Sequence, residues 1–122
     1  MNKGRIADIY TFLSGARMSK LNDDEKVAVI RLLRSMKPVA TEIREAVAEA
    51  SQKAVAEYPT DINAAQQLVN EAVKDLLNED VPDFTAKIMS TDAFERLCFS
   101  NDWTFGEIDN LETDLVATSD DQ

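Results

Sequence analysis

The chain has 122 residues, 44% of them hydrophobic and 30% charged, a balance that excludes wholesale disorder and fits one domain with a modest core. Three glycines and three prolines disfavour a many-turned β fold, while one cysteine and no histidine remove disulfide frameworks and the commonest general base and metal ligand. The net charge of −10 is uneven: residues 1–60 hold ten Lys/Arg against eight Asp/Glu and residues 61–122 three against fifteen, an acidic half that would repel a nucleic-acid backbone.

The opening MNKGRIADIY lacks the apolar core of a secretory signal. No apolar run approaches the roughly 18 residues of a membrane span, so a cytoplasmic protein without a membrane partner is expected. From Lys3 to Ser14, Ile6, Ile9, Tyr10 and Leu13 fall at i, i+3, i+4 and i+7, one face of a short amphipathic helix. Gly15 is placed as the C′ residue that ends it. A loop with two apolar plugs follows, Met18 and Leu21, and Leu21 precedes the next N-cap, where it could staple the first helical turn.

Asp23 to Tyr58 organises the chain. Asn22 and Glu25 form a capping-box start, with Asp23 and Asp24 at the positive end of the helix dipole. Val29, Leu33, Met36, Ala40, Ile43, Val47, Ala50 and Ala54 then follow at spacings of 4, 3, 4, 3, 4, 3, 4, the heptad seam of a helix packed lengthwise on other helices. Val27, Ile30 and Leu32 add apolar positions beyond the seam, which implies burial on more than one side there. Pro38 removes one backbone hydrogen bond, and because the seam keeps its phase across it, a kink is expected rather than a break.

Tyr58-Pro59-Thr60-Asp61 stops this helix and starts another, capped by Thr60 or Asp61 and running to about Asn78. Ile62, Ala65, Leu68 or Val69, Ala72, Leu76 and Leu77 would face inward, and so short a connection makes the two helices an antiparallel hairpin. In FTAKIM, Phe84, Ala86 and Ile88 alternate with Thr85, Lys87 and Met89, which is compatible with one short strand at Phe84–Met89. Such a strand needs a partner, in another chain or in the C-terminal tail. Ser90-Thr91-Asp92 caps a short helix through about Phe99 with Phe94, Leu97 and Cys98 on its apolar face, and Ser100-Asn101-Asp102 is a turn. Thr104 and Glu107 form a second capping box, opening a last helix on Ile108, Leu111 and Leu115. The tail ATSDDQ is expected to fray.

Three constellations are candidates for function. Glu42, Glu45 and Glu49 on the long helix, with Glu71 and Asp75 on the next, suggest the paired carboxylates of an all-α magnesium-dependent nucleotide pyrophosphohydrolase. The later pair, however, is E-x-x-x-D, and the glutamates point roughly opposite the seam. That geometry favours a solvated face, partly paired with Arg34 and Lys53. Arg17, Lys20, Lys26, Arg31, Arg34 and Lys37 gather near the start of the long helix. They could dock an acidic surface, including the C-terminal half of another copy, or nucleic acid, although an ordinary solvated face is the simpler account. Cys98 lies among Phe94, Leu97 and Phe99 with no histidine to activate it, which makes it a buried, inert thiol. Trp103 is either a core lid or an interface anchor, and the core is the better fit.

Two stretches, RIADIYTFLSGARMSKLNDDEKVAVIRLLRSMKPVATEI and STDAFERLCFSNDWTFGEIDNLETDLV, resemble a group of short bacteriophage and prophage proteins of unknown function. In that group an N-terminal helical hairpin precedes a variable middle and an F-x-x-L…N…T-x-x-E-I…L ending. The likeness covers about two thirds of the chain and transfers no catalytic residue. It implies a phage-type structural or assembly role, in the cytoplasm or on the virion.

The sequence therefore predicts an all-α or mostly-α single domain. Residues 1–79 hold the short first helix and a hairpin built on the long kinked helix, and residues 80–122 an acidic region with two short helices. It predicts a non-enzymatic protein without cofactor that acts through helix packing, as a homo-oligomer or with a protein partner. The contact surface would be Leu33, Met36, Ala40, Ile43, Val47, Ala50 and Ala54 with Arg31, Arg34 and Lys37. An acidic decoy that captures a basic partner is a further alternative, resting on the charge of the second half.

Overall fold

A computed structural model describes residues 1–117 and contains five helices: α1 Lys3–Ser14, α2 Asp23–Glu57, α3 Ile62–Asn78, α4 Thr91–Phe99 and α5 Phe105–Leu115. The fold is all-α, 72% helical and without a sheet among the described residues. Most of the tail expected to fray lies outside them. Within the described part, the chain groups into two compact units. One joins Met1–Tyr10 to Met36–Pro82, the other Thr11–Ser35 to the residues from Asp83 onward. Each unit takes in a part of α1 and a part of α2.

In the first unit, the later part of α2 and all of α3 form the hairpin. Ala50 and Ala54 of α2 bury against Val69 and Val73 of α3, with Ala46, Val47, Ala65, Leu68 and Leu77 packed around them. Small residues on α2 let the α3 valines approach closely, which is why its seam turns to alanine there. The inward face of α3 is centred on Val69 and Val73, at i, i+4, whereas Ala72 is exposed. Asp61 provides the cap, its side chain accepting from the Ala64 N–H at 3.1 Å.

The first residues of the chain close the open end of this hairpin. The Lys3 N–H donates to the Glu79 carbonyl at 2.9 Å, and Asn2 and Asp80 form an antiparallel bridge. Gly4 permits this approach: a Cβ there would lie 3.1 Å from the carbonyl oxygen of Leu77.

In the second unit, both expected capping boxes are in place. Asn22 Oδ1 accepts from the Glu25 N–H at 2.8 Å and Glu25 Oε1 from the Asn22 N–H at 2.9 Å. Thr104 and Glu107 make the same reciprocal pair at α5, and the Ser90 side chain caps α4. The unit buries Leu13, Leu21, Val29, Leu32, Ala86, Met89, Phe94, Leu97, Leu111 and Leu115. Residues 84–89 do not extend into a strand. They make one isolated parallel bridge, with Met89 donating to the Leu115 carbonyl at 3.1 Å and accepting from the Ala117 N–H at 3.0 Å. Of the two partners open to this segment, the chain beyond α5 takes the place.

Of three local expectations, one is corrected. α1 ends at Ser14 with Gly15 next, as expected, and because no glycine has a positive φ it stops without a left-handed cap. α2 runs through Pro38 as one helix of 35 residues, so the proline does not break it, as the unbroken phase of the seam implied. Of the extra apolar positions on its first turns, only Leu32 is buried; Val27 and Ile30 remain 42% and 38% exposed.

Candidate interaction surfaces

The seam of α2 is largely consumed by the chain itself. Met36, Ile43, Ala50 and Ala54 are buried, and Leu33, Ala40 and Val47 are half-buried. A residue that is already covered cannot offer its area to a second chain, so Met36, Ile43, Ala50 and Ala54 serve as core, while Leu33, Ala40 and Val47 stay partly open. Arg31, Arg34 and Lys37 are exposed, as a contact surface would require.

The carboxylates do not assemble into a metal site. Glu42 is bound by Lys3, whose Nζ lies 2.7 Å from its Oε1, and Glu49 pairs with Lys53 at 3.2 Å one helical turn on. Glu45, Glu71 and Asp75 are exposed, and no group of three or more Asp, Glu or Cys side chains converges among the described residues. Arg34, the expected partner of this acidic face, makes no ion pair among the described residues.

Apolar side chains emerge elsewhere, among them Ile62, which was expected to face inward. At the hairpin tip in the first unit, Val55 is 60% exposed, Tyr58 38% and Ile62 83%. They rim a notch of about 230 Å³ floored by Ala54, Ala65 and Val69. The turn through Pro59 leaves Ile62 at the first position of α3, one turn before the inward stripe begins, so its side chain has nothing to pack against. The tip carries little charge: from Ala50 to Asn70 only Lys53, Glu57 and Asp61 are ionic.

In the second unit, Phe99 is 71% and Phe105 80% exposed. They are the last residue of α4 and the first of α5, on either side of a five-residue turn. That turn is well anchored. Asn101 accepts from the Arg17 N–H at 2.8 Å and donates to the carbonyls of Arg17 and Leu97, while Ser100 Oγ accepts from the Lys20 N–H at 3.0 Å. Trp103 is half-buried and tilts against Phe12, ring centroids 5.0 Å apart. The tryptophan thus takes the packing role, and the two phenylalanines are left outside.

Acidic side chains flank these aromatics. On α4, Asp92, Glu95 and Phe99 are exposed at i, i+3 and i+7, and on α5 Phe105, Asp109 and Glu112 at i, i+4 and i+7, one stripe on each helix. Cys98 lies between the stripes, half-buried. Burial raises its thiol pKa, and the charges of Glu112 and then Glu95 raise it further. The one arginine of α4, Arg96, is turned away to Glu25, whose carboxyl is held below the usual range first by the Asn22 N–H and then by this guanidinium.

No helix among the described residues is long and apolar enough to cross a membrane. Comparison with protein-family models, with curated proteins and with solved structures gave no match.

Proposed function

We propose that this chain is a non-enzymatic interaction protein of phage or prophage type, acting in structure or assembly through helix packing and working as a homo-oligomer. The observation that carries the reading is the hairpin tip. Three large apolar side chains stand exposed around a notch on an otherwise strongly charged molecule, and exposed apolar patches of this kind mark contact sites. The resemblance of both ends of the chain to short phage proteins supports the assembly context, and with it a place in the cytoplasm or on the virion. The acidic balance of the second half argues for a protein partner rather than a nucleic acid.

A contact through the tip is apolar and so persists when charges are screened. The test is absolute mass by light scattering after size exclusion in about 1 M salt, where the Debye length is about 3 Å. The expected result is an oligomer that Ile62→Asp converts to monomer. A monomer under these conditions, or an oligomer indifferent to Ile62→Asp, overturns the reading.

A further inference from the structure

The second unit carries two exposed surfaces whose charge and apolar content complement each other, and both lie unused within the chain. The first is the α4–α5 face: Phe99 and Phe105 at the turn, with Asp92, Glu95, Asp109 and Glu112 leading away from it. None of these four carboxylates makes an ion pair among the described residues. The second is a stripe on α2, where Val27, Ile30, Arg31 and Arg34 are all exposed at i, i+3, i+4 and i+7. Neither arginine makes an ion pair among the described residues.

We propose that the basic stripe of one copy, Val27-Ile30-Arg31-Arg34, docks on the acidic, aromatic α4–α5 face of a second copy, giving a head-to-tail contact. This deepens the reading above by naming a partner, and it rests on that reading only in taking the protein to act through protein contact.

Spacing and length both fit. Arg31 and Arg34 are three residues apart, as are Asp92 and Glu95 on α4 and Asp109 and Glu112 on α5. Each stripe runs from i to i+7, about 10 Å of helix, so charges and apolar groups can meet without stretching either surface. Direction fits as well. Read from the N-terminus, the α2 stripe is apolar and then basic, while α5 is aromatic and then acidic and α4 is acidic and then aromatic. Because the two phenylalanines share the turn end, α2 laid parallel to α5, or antiparallel to α4, sets its apolar residues toward an aromatic and both arginines among carboxylates.

Arginine is suited to this role, since its planar guanidinium binds carboxylates bidentately and stacks on aromatic faces. The two surfaces are different patches of one chain, so a contact that is not reciprocated across a two-fold axis is heterologous. Copies added in this way build a ring if the rotation closes and a filament if it does not. Pairing of like faces is disfavoured, because like charges would oppose each other.

The test is mass by light scattering in about 10 mM and about 1 M salt, where the Debye length falls from about 30 Å to about 3 Å. It is run on Ile62→Asp protein, so that the hairpin tip does not contribute. In low salt the mass should be at least twice that of the monomer, and in high salt it should be monomeric. Arg31→Glu/Arg34→Glu and Glu95→Arg/Glu112→Arg, all at exposed positions, should each be monomeric in low salt. An equimolar mixture of the two should associate again, because each supplies the intact face that the other lacks. A monomer in low salt, association that survives both charge reversals, or a mixture that stays monomeric overturns the proposal. The hairpin-tip contact is judged in high salt on Ile62 itself, so either reading can fail while the other stands.

Discussion

The Nζ of Lys3 lies 2.7 Å from Oε1 of Glu42, 39 residues away in the chain, and 3.0 Å from Oε1 of Glu79. One ammonium thereby ties the start of α1 to the middle of α2 and to the end of α3. Glu42 and Glu79 can meet at a single cation only if α2 and α3 run in opposite directions, so the pair fixes the sense of the hairpin.

This pair has a pH signature. Hydrogen bonding to Glu42, and then to Glu79, raises the Lys3 pKa. A raised folded pKa contributes stability that is fully present below the unfolded lysine value, about 10.4, and is lost as pH rises through the folded value. Lys3→Gln should therefore melt a few degrees below the native chain from neutral pH to about pH 10, and the gap should close at higher pH. Thermal melts of both proteins across this range check it. A gap that is constant up to about pH 12 would mean that Lys3 acts by packing alone.

The α2 cap behaves in the opposite sense. Glu25 has a lowered pKa, so its contribution is present above the unfolded glutamate value, about 4.3, and disappears as pH falls through the folded value. Denaturant titrations of the native chain and Glu25→Ala should differ at neutral pH and converge in acid. Removing the other half of the box, Asn22→Ala, should cost about 0.5–2 kcal/mol.

Burial separates core from surface among large side chains that look alike in sequence. Leu115, fully buried, should lose about 2–5 kcal/mol as Leu115→Ala. Phe105→Ala, at a position 80% exposed, should stay within about 0.5 kcal/mol of the native chain while weakening self-association in low salt. Urea unfolding measures the first quantity and light scattering the second.

Alanines on α2 should divide in the same way. Ala54 is 1% exposed in the hairpin core, and Ala54→Leu should cost about 1–3 kcal/mol by overpacking. Ala48→Leu, on the exposed side of the same helix, should be within about 0.5 kcal/mol of neutral. Equal costs at the two positions would contradict the packing of α2 on α3.

The thiol of Cys98 should react slowly with a disulfide reagent near pH 8, because burial, Glu112 and Glu95 all disfavour its thiolate. Unfolding should bring the rate to that of a free cysteine, and Glu112→Gln should raise it by less than unfolding does. Absorbance of the released thiol follows both.

The sequence alone determined the helices, because each is specified by neighbours within a turn or two. The caps at Asn22, Asp61, Ser90 and Thr104, and the apolar faces through Ile6–Leu13 and Phe94–Leu97, are local features that need no partner to be read. The hairpin, too, followed from a connection as short as Tyr58–Asp61.

What the sequence could not decide is which apolar residues are covered and by what. Periodicity marks a face as apolar but not what lies opposite it, so the seam suited an interface as well as a core. Tertiary packing placed Met36, Ile43, Ala50 and Ala54 inside, and left Val27, Ile30, Ile62, Phe99 and Phe105 outside. The exposed set sits at helix ends and in the first turns of α2, where no stripe continues long enough to mark it. Lys3, Glu42 and Glu79 are likewise far apart in sequence, and their meeting exists only once the hairpin has closed.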